Sequence, residues 1–298
     1  MKLTIFGYNG FIGRNLLNYL NSKDVSLIER NLLKDFNKFK ISSDNFGVIN
    51  LIGKAHDLKK NAEPDEYYYA NTELLKYIYD AFLISNAKVF ITISSVKAVA
   101  DSSNQILTEE CLPNPITVYG KSKFLAEQYI LSKEIPNGKR VFILRPCMIH
   151  GPGNKGNLNL LYNIVRNDFP WPLGSFDNKR SYCSIDNLCF IINELLHNEN
   201  IPSGIYNIAD DEALSTNELI KLIAQSMNKS TRILNIPRYL VHIVSKFGDI
   251  LMLPLNTERL SKLTETYVIS NQKIKSAINK PLPISSKEGF LKTFNSLN

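Results

Sequence analysis

The stretch KLTIFGYNGFIGRNLLNYL, residues 2–20, decides how this 298-residue chain folds. Lys2 to Phe6 is a short apolar run that reads as a buried strand. Gly7, Gly10 and Gly13 follow at once, spaced G-x-x-G-x-x-G, and Arg14 to about Leu20 has the pattern of a helix. Glycine in such a turn permits a tight bend, close approach of the backbone to a pyrophosphate, and close packing of helix on strand. The helix then begins with unpaired N–H groups aimed at the anion. Strand, glycine turn and helix in this order predict a dinucleotide site lined by Gly7, Gly10, Phe11, Ile12 and Gly13.

Working outward, Val25 to Ile28 is the second strand, and it ends in Glu29-Arg30. A carboxylate here accepts the ribose hydroxyls of NAD, whereas an arginine pairs with the 2′-phosphate of NADP. Both residue types are present, so NAD and NADP stay open. Phe46 to Ile52 is the next strand, with Gly53 after it to let the chain pass close to a cofactor. Asn71 to Leu83 reads as a helix with Leu74, Leu75, Ile78, Tyr79 and Phe82 on one face. Lys88 to Ile93 is the fourth strand and delivers Ser94 and Ser95 at its end. Tyr119 and Lys123 stand four apart at the start of a further helix, one turn above each other on one face. A fixed ammonium beside a phenol favours the phenolate and lowers its pKa. A fifth strand, Arg140 to Leu144, leads into Arg145-Pro146-Cys147-Met148-Ile149-His150-Gly151-Pro152-Gly153.

Strands alternating with helical patterns predict an α/β fold with a doubly wound parallel sheet of the Rossmann type. Ligands bind at the carboxyl ends of the strands in such sheets, and the glycine turn, Gly53, Ser95 and Pro146 all fall there. Beyond Pro152 the sequence turns polar and proline-rich, with Phe169-Pro170-Trp171-Pro172-Leu173-Gly174 as an irregular loop. Gly204 to Ala209 is another strand, and Ser215 with Glu218 forms a capping box for a helix running to about Met227. The expected division is a dinucleotide-binding domain over 1–152 with a returning segment of roughly 181–210. A smaller C-terminal α/β substrate domain takes 153–180 and 211–298.

Composition is that of an ordinary soluble protein, 44% hydrophobic and 21% charged. The net charge of +7 comes from scattered lysines, which suits an anionic substrate better than nucleic acid. Cys111, Cys147, Cys183 and Cys189 form no metal-ligand spacing and suggest a reducing compartment, hence the cytoplasm. Met1 to Phe6 is too short for a signal peptide. Ile236 to Leu255 is notably apolar but holds Arg238, Lys246, Asp249, Pro237 and Pro254, which argues against a span. It reads as a helix packed in the core or on a subunit, or else as a helix lying on a membrane surface.

Taken jointly, Gly7-x-x-Gly10-x-x-Gly13, Ser94-Ser95, Tyr119-x-x-x-Lys123 and Arg145-Pro146…Gly151-Pro152-Gly153 resemble the extended short-chain dehydrogenase/reductase family. Its members are mostly nucleotide-sugar epimerases, dehydratases and reductases that use NAD or NADP. Ser94-Ser95-Val96-Lys97 and Pro172-Leu173-Gly174…Asn178-Lys179-Arg180-Ser181…Asp186-Asn187-Leu188 look most like the branch of UDP-hexose and UDP-N-acetylhexosamine 4-epimerases and 4-reductases of bacterial polysaccharide clusters. The resemblance implies Tyr119 as acid/base, deprotonated near neutral pH with help from Lys123 and the nicotinamide. Lys123 is further implied on the nicotinamide ribose. Ser95, or less directly Ser94, is implied on the sugar 4-hydroxyl. Asn71 would lie on the cofactor side, Pro146 and Met148 behind the nicotinamide, and Arg180 on the diphosphate of the nucleotide-sugar substrate. Lys97 would contact the substrate or serve only as a loop lysine. A homodimer paired through the helices from Asn71 and Tyr119 is implied as well.

Two departures bear on the reaction. Family dehydratases carry an Asp-Glu pair directly after the hydroxyl residue, and Val96 and Lys97 stand there instead, so dehydration across C5 and C6 lacks its acid and base. Val99-Ala100-Asp101 replaces a frequent Tyr-Gly. The expected chemistry is therefore hydride and proton transfer at sugar C4. The alternatives are a non-catalytic dinucleotide-binding sensor or scaffold, and a reductase of a small non-nucleotide carbonyl.

Overall fold

A computed structural model describes residues 1–21, 24–28, 41–55, 63–103, 105–154, 158–251 and 256–297. In chain order β1 (Leu3–Phe6) leads into α1 (Phe11–Leu20), then β2 (Val25–Ile28), β3 (Gly47–Asn50) and α2 (Pro64–Tyr68). A π-helical turn over Tyr69–Glu73 joins α2 to α3 (Leu74–Ile84), followed by β4 (Val89–Ile93), α4 (Val118–Leu131) and β5 (Arg140–Pro146). Next come β6 (Met148–His150), α5 (Leu158–Arg166), β7 (Tyr182–Ser184), α6 (Ile185–His197), β8 (Gly204–Ile208) and α7 (Thr216–Ser226). Helices α8 (Arg238–Ile250), α9 (Thr257–Thr264), α10 (Gln272–Ile278) and α11 (Ser286–Asn295) complete the described elements.

Among the described residues the main sheet has the order β2-β1-β3-β4-β5-β8, and every pairing in it is parallel. Side chains alternate across it as strand geometry requires. Leu3, Ile5, Ile49, Ile91 and Phe142 face one core with α1, α6 and α10, whereas Phe6, Val48, Phe90, Val141 and Ile143 face another with α3 and α4. Helices thus cover both faces, as the alternation of strands and helices predicts. Strand order reverses at β1, which opens a crevice at the carboxyl ends of β1 and β3. A third core gathers α5, α7 and α11 around Trp171, whose indole N–H donates to Asn217 Oδ1 at 2.8 Å.

The amino-terminal turn explains its own glycines. Gly7 has φ +77°, and a Cβ there would lie 2.8 Å from the Ile52 nitrogen. A Cβ on Gly13 would lie 2.4 Å from the Tyr8 carbonyl oxygen, so only glycine lets α1 sit this close to the turn. The helix starts at Phe11, three residues before the expected Arg14, because Gly10 acts as its N-cap in extended conformation. The helix expected from Asn71 starts earlier too: Pro64 opens it with Asp65 and Glu66 in its first turn, favourable company for a helix start. Strand β8 returns to pair with β5, and the Ser215–Glu218 capping box is formed. Glu29 and Arg30, read as the ribose-selecting pair, lie outside the described residues. Within the apolar 236–255 stretch, α8 occupies Arg238–Ile250, and residues 252–255 lie outside the described residues. Among the described residues no helix is long and apolar enough to cross a membrane.

Candidate active site

Helix α4 carries the site, and the preceding loop holds its first turn in place. Asp101 accepts hydrogen bonds from the backbone N–H of Ile116 (2.8 Å) and Thr117 (2.9 Å) and from the Thr117 hydroxyl (2.8 Å). Burial raises the Asp101 pKa, but these donors and Lys97 outweigh it and hold the carboxyl below its ordinary value. Thr117 Oγ1 in turn caps the helix by accepting from Gly120 N at 3.2 Å. The Val99-Ala100-Asp101 departure therefore supplies the anchor of the tyrosine helix. Lys97 lies 3.5 Å from Asp101 in an ion pair, which engages the side chain offered above as a substrate contact.

Tyr119, Lys123 and Glu127 follow at i, i+4 and i+8 on one face of α4. Ser95 neighbours the Tyr119 phenol and, as a hydrogen-bonding group, draws its pKa down against the rise from burial. Ser95 Oγ also accepts from Lys97 N at 3.2 Å, which starts a short 3₁₀ turn over Val96–Ala98. Lys123 is 6% exposed and donates to the Ile93 carbonyl at 2.8 Å. Beside it, a Cβ on Gly53 would come within 2.9 Å of Lys123 Nζ and 3.1 Å of Asn71 Oδ1. Gly53 thus makes room for these two side chains at the carboxyl end of β3.

Asn71 sits in the π-helical turn, a departure from regular helix that is frequent at functional sites. Its Oδ1 accepts from Lys54 N at 2.8 Å, and its Nδ2 donates to the Lys54 carbonyl at 3.1 Å and to Ser122 Oγ at 2.9 Å. One amide thereby ties the loop after β3 to α4 beside Lys123. Pro146 ends β5 in register with Ile208, and Met148 begins β6. Arg180 Nη1 donates to the Lys262 carbonyl on α9, and its charge opposes the rise that burial imposes on the pKa values of Cys147, Tyr182 and Tyr267.

Three sequence readings change here. Ser94, offered as a substrate contact, is buried and donates to Glu127 Oε1, because strand parity sends it beneath α4 together with Phe90 and Thr92. Burial pushes the Tyr119 phenol up, the Ser95 hydrogen bond draws it back, and Tyr67 on α2 raises it further. The Lys123 ammonium, read as a neighbour of the phenol, also has a partner of its own in the Ile93 carbonyl. Missed altogether were Tyr67 and the buried Glu127–Arg145 pair. Arg145 Nε donates to Glu127 Oε1 at 3.0 Å and Nη2 to Oε2 at 2.6 Å. The i, i+4 spacing from Lys123 to Glu127 was the signal for it.

Burial lowers the Lys123 pKa from 10.5 to about 8, with Glu127 opposing the shift. The folded value lies below the unfolded one, so an ammonium here destabilises the fold below about pH 8. That cost, on the order of 3 kcal/mol, disappears as pH rises from 8 toward 10.5. We expect Lys123→Met to raise the stability of the dinucleotide-free protein at pH 7 and to flatten its rise above pH 8. Parallel denaturant melts across that window check this, and identical pH slopes for the two proteins would refute it.

The turn at Gly7–Gly13 fits a dinucleotide diphosphate on its own geometry. The α1 N-terminus has no side-chain cap and no acidic residue in its first turn, so its N–H groups and dipole are available to an anion. Parallel sheet, open glycine turn and Ser95–Tyr119–Lys123 define a dinucleotide-dependent enzyme class. Residues 3–209 match the model of the NAD dependent epimerase/dehydratase family, and the chain belongs to that family. The chain is 26% identical to UDP-glucose 4-epimerase of Vibrio cholerae, over 98% of this chain and 94% of that one. It is also 26% identical to N-acetyl-alpha-D-glucosaminyl-diphospho-ditrans,octacis-undecaprenol 4-epimerase of Escherichia coli O157:H7, over 92% and 84%. The solved structure of UDP-glucuronic acid 4-epimerase from Bacillus cereus with NAD superposes with a TM-score of 0.74 at 17% identity, covering 100% of this chain and 98% of that one.

Proposed function

We propose that this chain catalyses NAD(P)-dependent redox chemistry at C4 of a sugar carried on a diphosphate, a UDP-sugar by preference, as a 4-epimerase or 4-reductase. The observation that supports it most is the Ser95–Tyr119 hydroxyl pair with Lys123 one turn along α4. Both 26%-identical relatives are named as 4-epimerases, and their substrates share a diphosphate next to the sugar. A nicotinamide held there would supply the hydride chemistry at C4. Tyr119 takes the proton of the C4 hydroxyl or returns it, and Ser95 holds that oxygen through its own hydroxyl. Lys123 holds the nicotinamide ribose and contributes positive charge beside the phenol. Pro146 and Met148 back the ring, Gly7, Gly10, Phe11, Ile12 and Gly13 hold the pyrophosphate, and Arg180 offers a forked cation to the substrate diphosphate.

In this reading the dinucleotide belongs to 1–152 with the returning segment of roughly 181–210, and the sugar carrier to 153–180 and 211–298. The reaction takes place in the cytoplasm, where free thiols such as those of Cys147, Cys183 and Cys189 persist. Two copies pair through α3 and α4, whose exposed Tyr77, Ile84, Leu125 and Leu131 suit a helix-bundle interface. The test is incubation with UDP-GlcNAc, UDP-Glc and a 4-keto-6-deoxy UDP-sugar, with and without NAD(P)H, followed by mass spectrometry and NMR. Epimerisation conserves mass and inverts C4, whereas reduction adds two hydrogens. No turnover of any of the three, with the dinucleotide bound, would overturn the proposal in favour of a binding-only protein.

A further inference from the structure

Helix α8 has three faces. Val241, Ser245 and Gly248 are its buried residues, and at about 100° per residue they share one arc. Arg238, His242, Lys246 and Asp249 fill the adjoining arc. The remaining arc, roughly 140° wide, carries Tyr239, Leu240, Ile243, Val244, Phe247 and Ile250. All six are exposed, Tyr239 to 65%, Phe247 to 58% and Ile250 to 76%, and Leu251 continues the surface beyond the last turn. Soluble proteins rarely leave so many large apolar side chains contiguous without a use for them.

The polar arc shows how the helix is fixed and which charge is left over. Arg238 Nε donates to the Ser175 carbonyl at 2.9 Å with its guanidinium over the Phe176 ring, and His242 meets that ring edge-on at 5.9 Å. Asp249 holds the first residue of α9, accepting from Thr257 N at 3.0 Å and Thr257 Oγ1 at 2.8 Å. Lys246 forms no ion pair among the described residues, and it stands at the edge of the apolar arc beside Tyr239 and Ile250.

We propose that α8 docks this chain on an anionic membrane surface. The helix lies in the plane of the interface with its apolar arc among the acyl chains. Lys246 extends to the headgroups and Tyr239 sits at their level. Thirteen residues are too few to span the bilayer. Charge decides between a bilayer and a second copy as the occupant. The chain carries +7, and the charge at the edge of the arc is that of Lys246. Anionic headgroups complement that edge, whereas another copy would bring the same basic edge to it. On the proposed role of Arg180, docking also orients the substrate side, because α8 holds the start of α9 through Asp249 and α9 receives Arg180 through the Lys262 carbonyl.

The experiment is sedimentation of the full chain with vesicles of phosphatidylcholine alone or mixed with phosphatidylglycerol, at low and high salt. The wild-type chain is expected to pellet with the mixed vesicles, less so as salt rises, and weakly with phosphatidylcholine alone. Phe247→Glu combined with Ile250→Glu should weaken binding at least tenfold, and Lys246→Glu should weaken it less. As a check that does not load the arc with charge, Tyr239→Trp should shift its emission to the blue on adding mixed vesicles. Failure of the wild-type chain to pellet with the mixed vesicles overturns the proposal. So does equal binding by the double variant, or an unshifted Tyr239→Trp emission. If instead the double variant halves the mass measured by light scattering while vesicles go unbound, the face pairs two copies and the membrane reading fails.

Discussion

Tyr119→Phe lowers turnover by about 10²–10⁴-fold while leaving fold and dinucleotide binding in place. The substitution removes one oxygen, and the neighbouring Ser95 keeps its hydrogen bond from Lys97 N. The ring stays in its place on the first turn of α4, which is capped by Thr117 and anchored by Asp101, not by the phenol. Lost is the group that exchanges a proton with the C4 oxygen. Burial raises the phenol pKa in the dinucleotide-free protein, so at neutral pH Tyr119 holds its proton there. A positive charge brought in by an oxidised nicotinamide has the opposite sign of effect and favours the phenolate. A kcat measured by NMR of the interconverting sugars, with bound dinucleotide followed by absorbance, separates proton transfer from binding. A Phe variant with unchanged kcat would take the proton path away from Tyr119.

What the sequence disclosed about this site followed the range of the interactions. The glycine turn, the strands and the Tyr119–Lys123 stripe are local patterns, and periodicity fixes each within a few residues. Ser94 and Ser95 are adjacent, so choosing between them requires knowing that Ser94 keeps strand parity and turns under α4 whereas Ser95 caps a 3₁₀ turn. The role of Gly53 depends on Lys123 and Asn71, far away in the chain, and no local rule brings them together. The start of the helix at Pro64 is marked by Pro, Asp and Glu, but α2 buries none of its residues and the apolar stripe that periodicity detects begins only at Leu74. In α8 the composition was plain to read, but which apolar side chains remain exposed depended on how α9 and the Ser175–Phe176 loop pack against it.

Glu127→Leu costs about 3–5 kcal/mol of stability, much of which Arg145→Met in the same chain restores. Glu127 is 2% and Arg145 3% exposed by side chain, so neither charge is shared with water. Removing the carboxylate alone strands a buried guanidinium whose Nη1 has no hydrogen-bond partner among the described residues, and it also leaves the Ser94 hydroxyl without its acceptor. Removing both charges spares the desolvation of each, which is why apolar replacement of a buried pair is often neutral. The single and double variants differ for a second reason that reaches the active site. Glu127 raises the Lys123 pKa against the push of burial, so without it the ammonium is disfavoured further. Stability restored by Arg145→Met is therefore not matched by restored activity near neutral pH, because the anion that supports the Lys123 charge remains absent. Urea melts of the four members of the cycle, with activity against pH for each, measure both effects. A single variant that loses less than about 1 kcal/mol would mean the pair is solvated in solution like a surface ion pair. Full activity in the double variant would mean that Lys123 keeps its proton without Glu127.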